Sequence, residues 1–117
     1  MPTIRDFVRA LRQRDGVDAV VVLGRDGLVI DSQTAPGIDA DGMAALLPSV
    51  IAASEELGRH HAGGALASCV LEYERRIAIA CVLSGEAILV VVAGPRADVG
   101  TLLFELRRNR GRIAAIV

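Results

Sequence analysis

Three runs of this chain are apolar at nearly every position: residues 18–24 (Asp-Ala-Val-Val-Val-Leu-Gly), 77–83 (Ile-Ala-Ile-Ala-Cys-Val-Leu) and 87–93 (Ala-Ile-Leu-Val-Val-Val-Ala). A strand with one wet face alternates apolar and polar residues. A strand covered on both faces does not. The pattern therefore predicts a sheet sandwiched between helices.

The helices have their own signatures. Residues 3–14 place Ile4, Phe7, Val8 and Leu11 at i, i+3, i+4 and i+7, the stripe of an amphipathic helix. Thr3 with Asp6 resembles a capping box with Asp in place of Glu. Gly16 is placed to end this helix in a left-handed turn. Strands follow at 17–23 and 28–32. Between them lies Gly24-Arg-Asp-Gly27, where Asp26-Gly27 supplies the positive φ of a tight hairpin. Residues 33–38, with Pro36 and Gly37, read as loop.

Residues 39–59 form the longest helical candidate. Met43, Leu46, Leu47, Val50, Ser54 and Leu57 make one stripe, and Ala44, Ala45, Ile51, Ala52 and Ala53 fill most of the rest. A helix apolar nearly all round is buried on more than one side, and its alanines let a second helix approach closely. Pro48 either kinks this helix near residues 44–47 or marks its true start. After Gly63-Gly64, residues 66–73, 76–83 and 87–93 read as a three-strand meander with turns at Glu74-Arg75 and Ser84-Gly85-Glu86. The first strand of the meander is rich in small residues and suits an edge. Asp98 caps a last helix reaching about Ile116, with Val99, Leu102, Leu103, Leu106 and Ile113 on one face. The order is α-β-β-α-β-β-β-α. Hairpin-linked strands make the sheet mainly antiparallel, giving a three-layer α/β/α arrangement of the α+β class.

Composition narrows the function. A chain of 117 residues suits one domain. Its hydrophobic fraction of 52% is a little high for that size, and such excess often ends in a subunit interface. The net charge of -1 argues against an electrostatic nucleic-acid or membrane binder. Phe7, Tyr73 and Phe104 are the only aromatic residues, too few for a base-stacking platform. Every basic residue is Arg and none is Lys, which reads as a GC-rich codon bias. The charged, amphipathic start has no signal-peptide pattern, and no apolar run reaches the about 18 residues of a spanning helix. Both point to a cytoplasmic protein without membrane insertion.

Candidate chemistry is sparse. No Cys/His spacing suits a metal, and Cys69 and Cys81 read as buried, reduced strand residues. A three-residue turn at Glu74-Arg75-Arg76 sets the two cysteines opposite each other across a hairpin. His60-His61 reads as complementing a helix C-terminus rather than as a ligand pair. Neither Gly24-Arg-Asp-Gly27 nor Gly63-Gly64 is a phosphate loop. Ser49, Ser54, Ser68 and Ser84 lack partnering His and acid residues. No catalytic residue, metal ligand or cofactor is expected. Arg107-Arg-Asn-Arg110 with Arg112 is the one dense positive patch. It either complements the last helix dipole or docks an acidic partner.

The element order, residues 16–30 (Gly16-Val-Asp-Ala-Val-Val-Val-Leu-Gly-Arg-Asp-Gly-Leu-Val-Ile30), the Ala-rich helix 43–57, residues 87–92 and Ala97-Asp-Val-Gly100 together resemble the Roadblock/dynein light-chain family. The resemblance covers nearly the whole chain. It implies strand order 2-1-5-4-3 and a homodimer whose third strands pair edge to edge beside packed long helices. Pro48 departs from the usual pattern. Bacterial members look like regulators of small Ras-like GTPases, so the implied function is a non-catalytic regulator or scaffold on such a GTPase. On this basis the dimer interface is expected at Leu47, Val50, Ile51, Ala52, Ala53, Ser54, Leu66, Ala67, Ser68, Cys69 and Val70. Partner docking is expected at Glu55, Glu56 and Arg59. The rival reading is a profilin- or PAS-like small-molecule sensor, against which the lack of polar residues inside the apolar strands counts.

Overall fold

The computed structural model describes residues 2–117. In chain order the elements are α1 (Ile4–Arg12), β1 (Val17–Gly24), β2 (Val29–Thr34), α2 (Ala40–His60), β3 (Ser68–Glu72), β4 (Ile77–Val82), β5 (Ala87–Ala93) and α3 (Val99–Ile116). The five strands form one antiparallel sheet in the order β2-β1-β5-β4-β3. The expected element order, class and strand order all hold.

Alternation along the central strands builds two cores. Val20, Val22, Ile79, Cys81, Leu89 and Val91 point to one face, where α1 supplies Val8 and Leu11 and α3 supplies Leu102, Leu106 and Ile113. Val21, Leu23, Ala80, Val82, Ile88 and Val90 point to the other, where α2 supplies Ala44, Leu47 and Ile51. The period of two in a strand sends successive side chains to opposite layers. This is why the runs have no polar positions: both faces are dry. No polar or charged residue among those described is buried.

Helix starts follow their local signals. Thr3 and Asp6 exchange the two hydrogen bonds of a capping box. Those bonds, from the Thr3 backbone first, hold the Asp6 carboxyl below its usual range. Asp39 accepts from the Gly42 N–H, and Asp98 accepts from the Thr101 N–H, each at 3.0 Å. The first helix ends at Arg12, two residues short of expectation, with Gln13 as its cap. Gly16 has the left-handed φ of +82°, but it serves the entry to β1. A Cβ there would lie 2.6 Å from the Ala97 backbone nitrogen. Gly27, at φ +84°, closes the β1–β2 turn as expected.

Two further expectations are corrected. α2 is one helix from Ala40 through Pro48 to His60 and does not begin at Pro48. Its expected stripe is divided: Leu47 faces the sheet with Ala44 and Ile51, while Leu46 and Leu57 lie on the outside, 68% and 66% exposed. An all-round apolar helix carries no polar face to say which side turns inward. The second correction concerns the cysteines. The β3–β4 turn has two central residues, Glu74 and Arg75, closed by the Tyr73 N–H donating to the Arg76 carbonyl at 2.8 Å. Cys81 therefore pairs with Ser68, and Cys69 with Ala80. A one-residue register change flips a side chain to the other face, so the two thiols sit on opposite sides of the sheet. Cys81 is buried and Cys69 half-buried.

Two outcomes follow. Gly16→Ala should cost about 1–3 kcal/mol through its positive φ, plus the clash with Ala97, read as a lowered denaturation midpoint. Mild oxidation should form no Cys69–Cys81 bridge. Thiol labelling of native protein should modify Cys69 well before Cys81, because burial pushes the Cys81 thiol up to about 11.

Candidate interaction surface

The two helix layers cover the sheet unequally. Of the strands, α2 comes closest to β2 and β1. The β1–β2 turn meets it: Gly27 has no side chain to obstruct the approach, and a Cβ there would lie 3.4 Å from the Ala44 carbonyl oxygen. Arg25 in that turn donates two hydrogen bonds to the Glu55 carboxylate, at 3.1 and 3.3 Å. This fork-to-fork pair holds the Glu55 carboxyl below its ordinary value of 4.5.

The far side of α2 is open. There a groove of about 670 Å³ runs between the helix and the β3–β4–β5 part of the sheet. Leu46, Leu47, Val50, Leu71, Ala78 and Val90 line it, with Asp39, Arg75 and Arg76 at its mouth. Leu46, Val50, Ala53 and Leu57 are spaced i, i+4, i+7 and i+11 and form one continuous outward stripe beside the groove. Tyr73, 61% exposed, stands at the end of β3. β3 is itself an edge strand with one row of unpaired backbone groups.

The expected interface residues divide accordingly. Ala52, Ala53, Ala67 and Val70 are exposed, and Val50, Ser54, Leu66, Ser68 and Cys69 are half-buried. The Cys69 thiol donates to the Ser54 hydroxyl at 3.2 Å, joining β3 to α2. Leu47 and Ile51 pack into the chain's own core. Leu46 and Leu57 on the long helix and Tyr73 at the end of β3 fall on the elements expected to form the interface, though not among the residues named for it. The signal for the two leucines is their seven- and eleven-residue offsets along one helix face, hidden in the sequence by the apolar residues around them.

Of the expected docking residues, Glu55 is held by Arg25, while Glu56 pairs with Arg59 and lies beside His60. Glu56 and Arg59 are exposed. Among the described residues no group of three His, Cys, Asp or Glu side chains is placed to hold a metal. The shifted carboxylates are all drawn down by hydrogen bonds at the surface. The raised group, Cys81, lies in the apolar core. Neither arrangement places an acid and a base together in a cleft.

The Arg25 pair makes a pH prediction. A carboxyl whose folded-state value is lowered adds stability above its unfolded value, and loses it as pH falls through the folded one. Carboxyl NMR titration should find Glu55 below 4.5 in the native chain, and Arg25→Gln should return it toward 4.5. An unmoved Glu55 would show that the clamp is absent in solution.

Comparisons with known proteins agree with this geometry. A Roadblock/LC7 domain from Streptomyces avermitilis superposes with a TM-score of 0.84 at 25% identity, over 97% of each chain. Myxococcus xanthus MglB superposes with a TM-score of 0.85 at 18% identity, covering 97% of this chain and 93% of that one. The Methanocaldococcus jannaschii protein MJ0714 is 30% identical over 106 residues, 91% of this chain and 89% of its own. The Roadblock/LC7 domain family model matches residues 3–93. The chain belongs to the Roadblock/LC7 domain family.

Proposed function

We propose that this protein is a non-catalytic homodimer that regulates or scaffolds a small Ras-like GTPase. The observation that carries the reading is the outward stripe of exposed Leu46, Ala53 and Leu57 with half-buried Val50, beside an unpaired β3 edge and an open apolar groove. A second copy related by a twofold axis answers all three. Its β3 continues the sheet, and its α2 covers the stripe and narrows the groove. Exposed apolar patches of this kind mark interaction sites, and a stable interface buries about 1,200–2,000 Å². Association within the fold has a parallel in an MglB structure described as a tetrameric arrangement. In this reading Leu46, Leu57 and Tyr73 join Val50, Ala53, Ser54, Leu66, Ala67, Ser68, Cys69 and Val70 at the interface. Leu47 and Ile51 support it from beneath, and Ala52 lies on the other flank of α2.

The GTPase assignment rests on family resemblance and on what this chain lacks. It has no phosphate loop and no Lys to serve one. Any effect on GTP turnover must then come through docking. Glu56 and Arg59, exposed near the end of α2, are the docking residues this reading favours. Glu55 acts mainly through its clamp on Arg25. The sensor alternative draws on the groove, whose volume lies within the range of ligand pockets. Narrowing of the groove by a second copy counts against that use.

Light scattering at micromolar concentration should give a dimer. Ala53→Glu should give monomer, since burying an unpaired charge in the interface costs about 2–5 kcal/mol. A wild-type monomer would refute the dimer. The GTPase reading is tested by capture of the Ras-like protein encoded nearest to this gene, loaded with GDP or a GTP analogue. Glu56→Arg with Arg59→Glu should weaken capture while the dimer persists. Absence of capture in either nucleotide state would remove the GTPase.

A further inference from the structure

The net charge of -1 averages over two layers of opposite sign. α2 with its cap carries Asp39, Asp41, Glu55 and Glu56 against Arg59. On the opposite face of the sheet, α1 carries Arg5, Arg9 and Arg12 against Asp6. Beside it α3 carries Arg107, Arg108, Arg110 and Arg112 against Glu105, which is already paired with Arg14.

The arginines of α3 are arranged on its outside. Leu102, Leu106 and Ile113 face the core. The opposite crest, by helical spacing, runs Phe104, Arg108, Gly111 and Ala115, with Arg107 on one flank and Arg112 on the other. All six are exposed, and Phe104 is 62% exposed although it is one of only three aromatic residues. No acid lies on this crest. Dipole complementation explains a basic residue in the last turn of a helix, but these arginines precede the last turn, which has no basic residue.

We infer that the α3 crest is a docking surface for a membrane bearing anionic lipid headgroups. The crest is convex and stands away from the sheet. The concave site on this layer is a groove of about 620 Å³ between α1 and α3, lined by Asp6 and the Arg14–Glu105 pair and, from the crest's flank, by Arg112, which leaves Arg107 and Arg108 outside it. An acidic peptide seeking a cleft meets that mixed lining, whereas a planar anionic surface meets the arginines directly. Arginine stems and an aromatic ring suit the headgroup boundary. Each basic residue near such a surface is worth about 1 kcal/mol. The protein adsorbs without spanning, since no helix among the described residues is long and apolar enough to cross a bilayer. The inference is independent of the dimer and of the GTPase, since one copy carries the whole crest.

Sedimentation with vesicles tests it. The intact protein should bind vesicles of phosphatidylcholine mixed with phosphatidylglycerol, should not bind phosphatidylcholine alone, and should release as salt rises. Arg108→Gln and Arg112→Gln should each loosen binding about fivefold, and Phe104→Ser should loosen it further. Circular dichroism should stay unchanged, because these positions are exposed. No enrichment on the anionic vesicles overturns the inference, as does equal binding to neutral ones or indifference to both Arg changes. Tighter binding to polyglutamate than to anionic vesicles also overturns it, in favour of an acidic protein.

Discussion

The pairing of β1 with β5 is the constraint on which the rest depends. Val20, Val22, Leu89 and Val91 give this pair one apolar face, and Val21, Leu23, Ile88 and Val90 give it another. Neither face can be left in water, so helices must cover both. Five strands at about 4.8 Å spacing make a sheet roughly 24 Å wide, and one helix with its side chains covers about 10 Å. Two helices, α1 and α3, suffice for one face. α2 alone does not suffice for the other. It sits nearest β2 and β1, anchored there by the Arg25–Glu55 pair, and leaves the β3–β4 side as a groove. The unfinished surface is thus a consequence of three helices serving two faces.

What could be read from the sequence was local. Thr3 with Asp6, Asp98 and Asp26-Gly27 each act within a few residues, and each does in the structure what its spacing implies. The three apolar runs were legible for a similar reason, since a lack of alternation reports burial directly. The inward face of α2 was not legible. Ala44, Leu47 and Ile51 differ from Leu46, Val50 and Leu57 in direction but not in chemistry, and only the position of the sheet distinguishes them. The cysteine register failed for a related reason. One residue in the turn at Glu74-Arg75 decides whether Cys69 and Cys81 share a face, and both turn lengths suit that sequence.

Charge shows the same limit of a linear reading. A sum over residues gives near neutrality, while the fold places α1 and α3 together on one face and α2 on the other. The sign of each layer is visible only once topology assigns helices to faces. A module with two chemically distinct sides can hold one side against one kind of surface while the other stays accessible.

No polar or charged residue among those described is buried, which bears on where the fold holds free energy for binding. A group that shifts a reaction barrier is usually held dry and preorganised, and every described polar or charged side chain here is at least partly in solvent. What the fold holds dry is apolar, and what it leaves exposed is an edge, a stripe and a groove. Burial of Leu46, Val50, Ala53 and Leu57 in the proposed dimer would release free energy on association. In the proposed association the exposed Glu56 and Arg59 would act at the rim, where charges set orientation and encounter more than affinity, and the apolar stripe would supply the affinity.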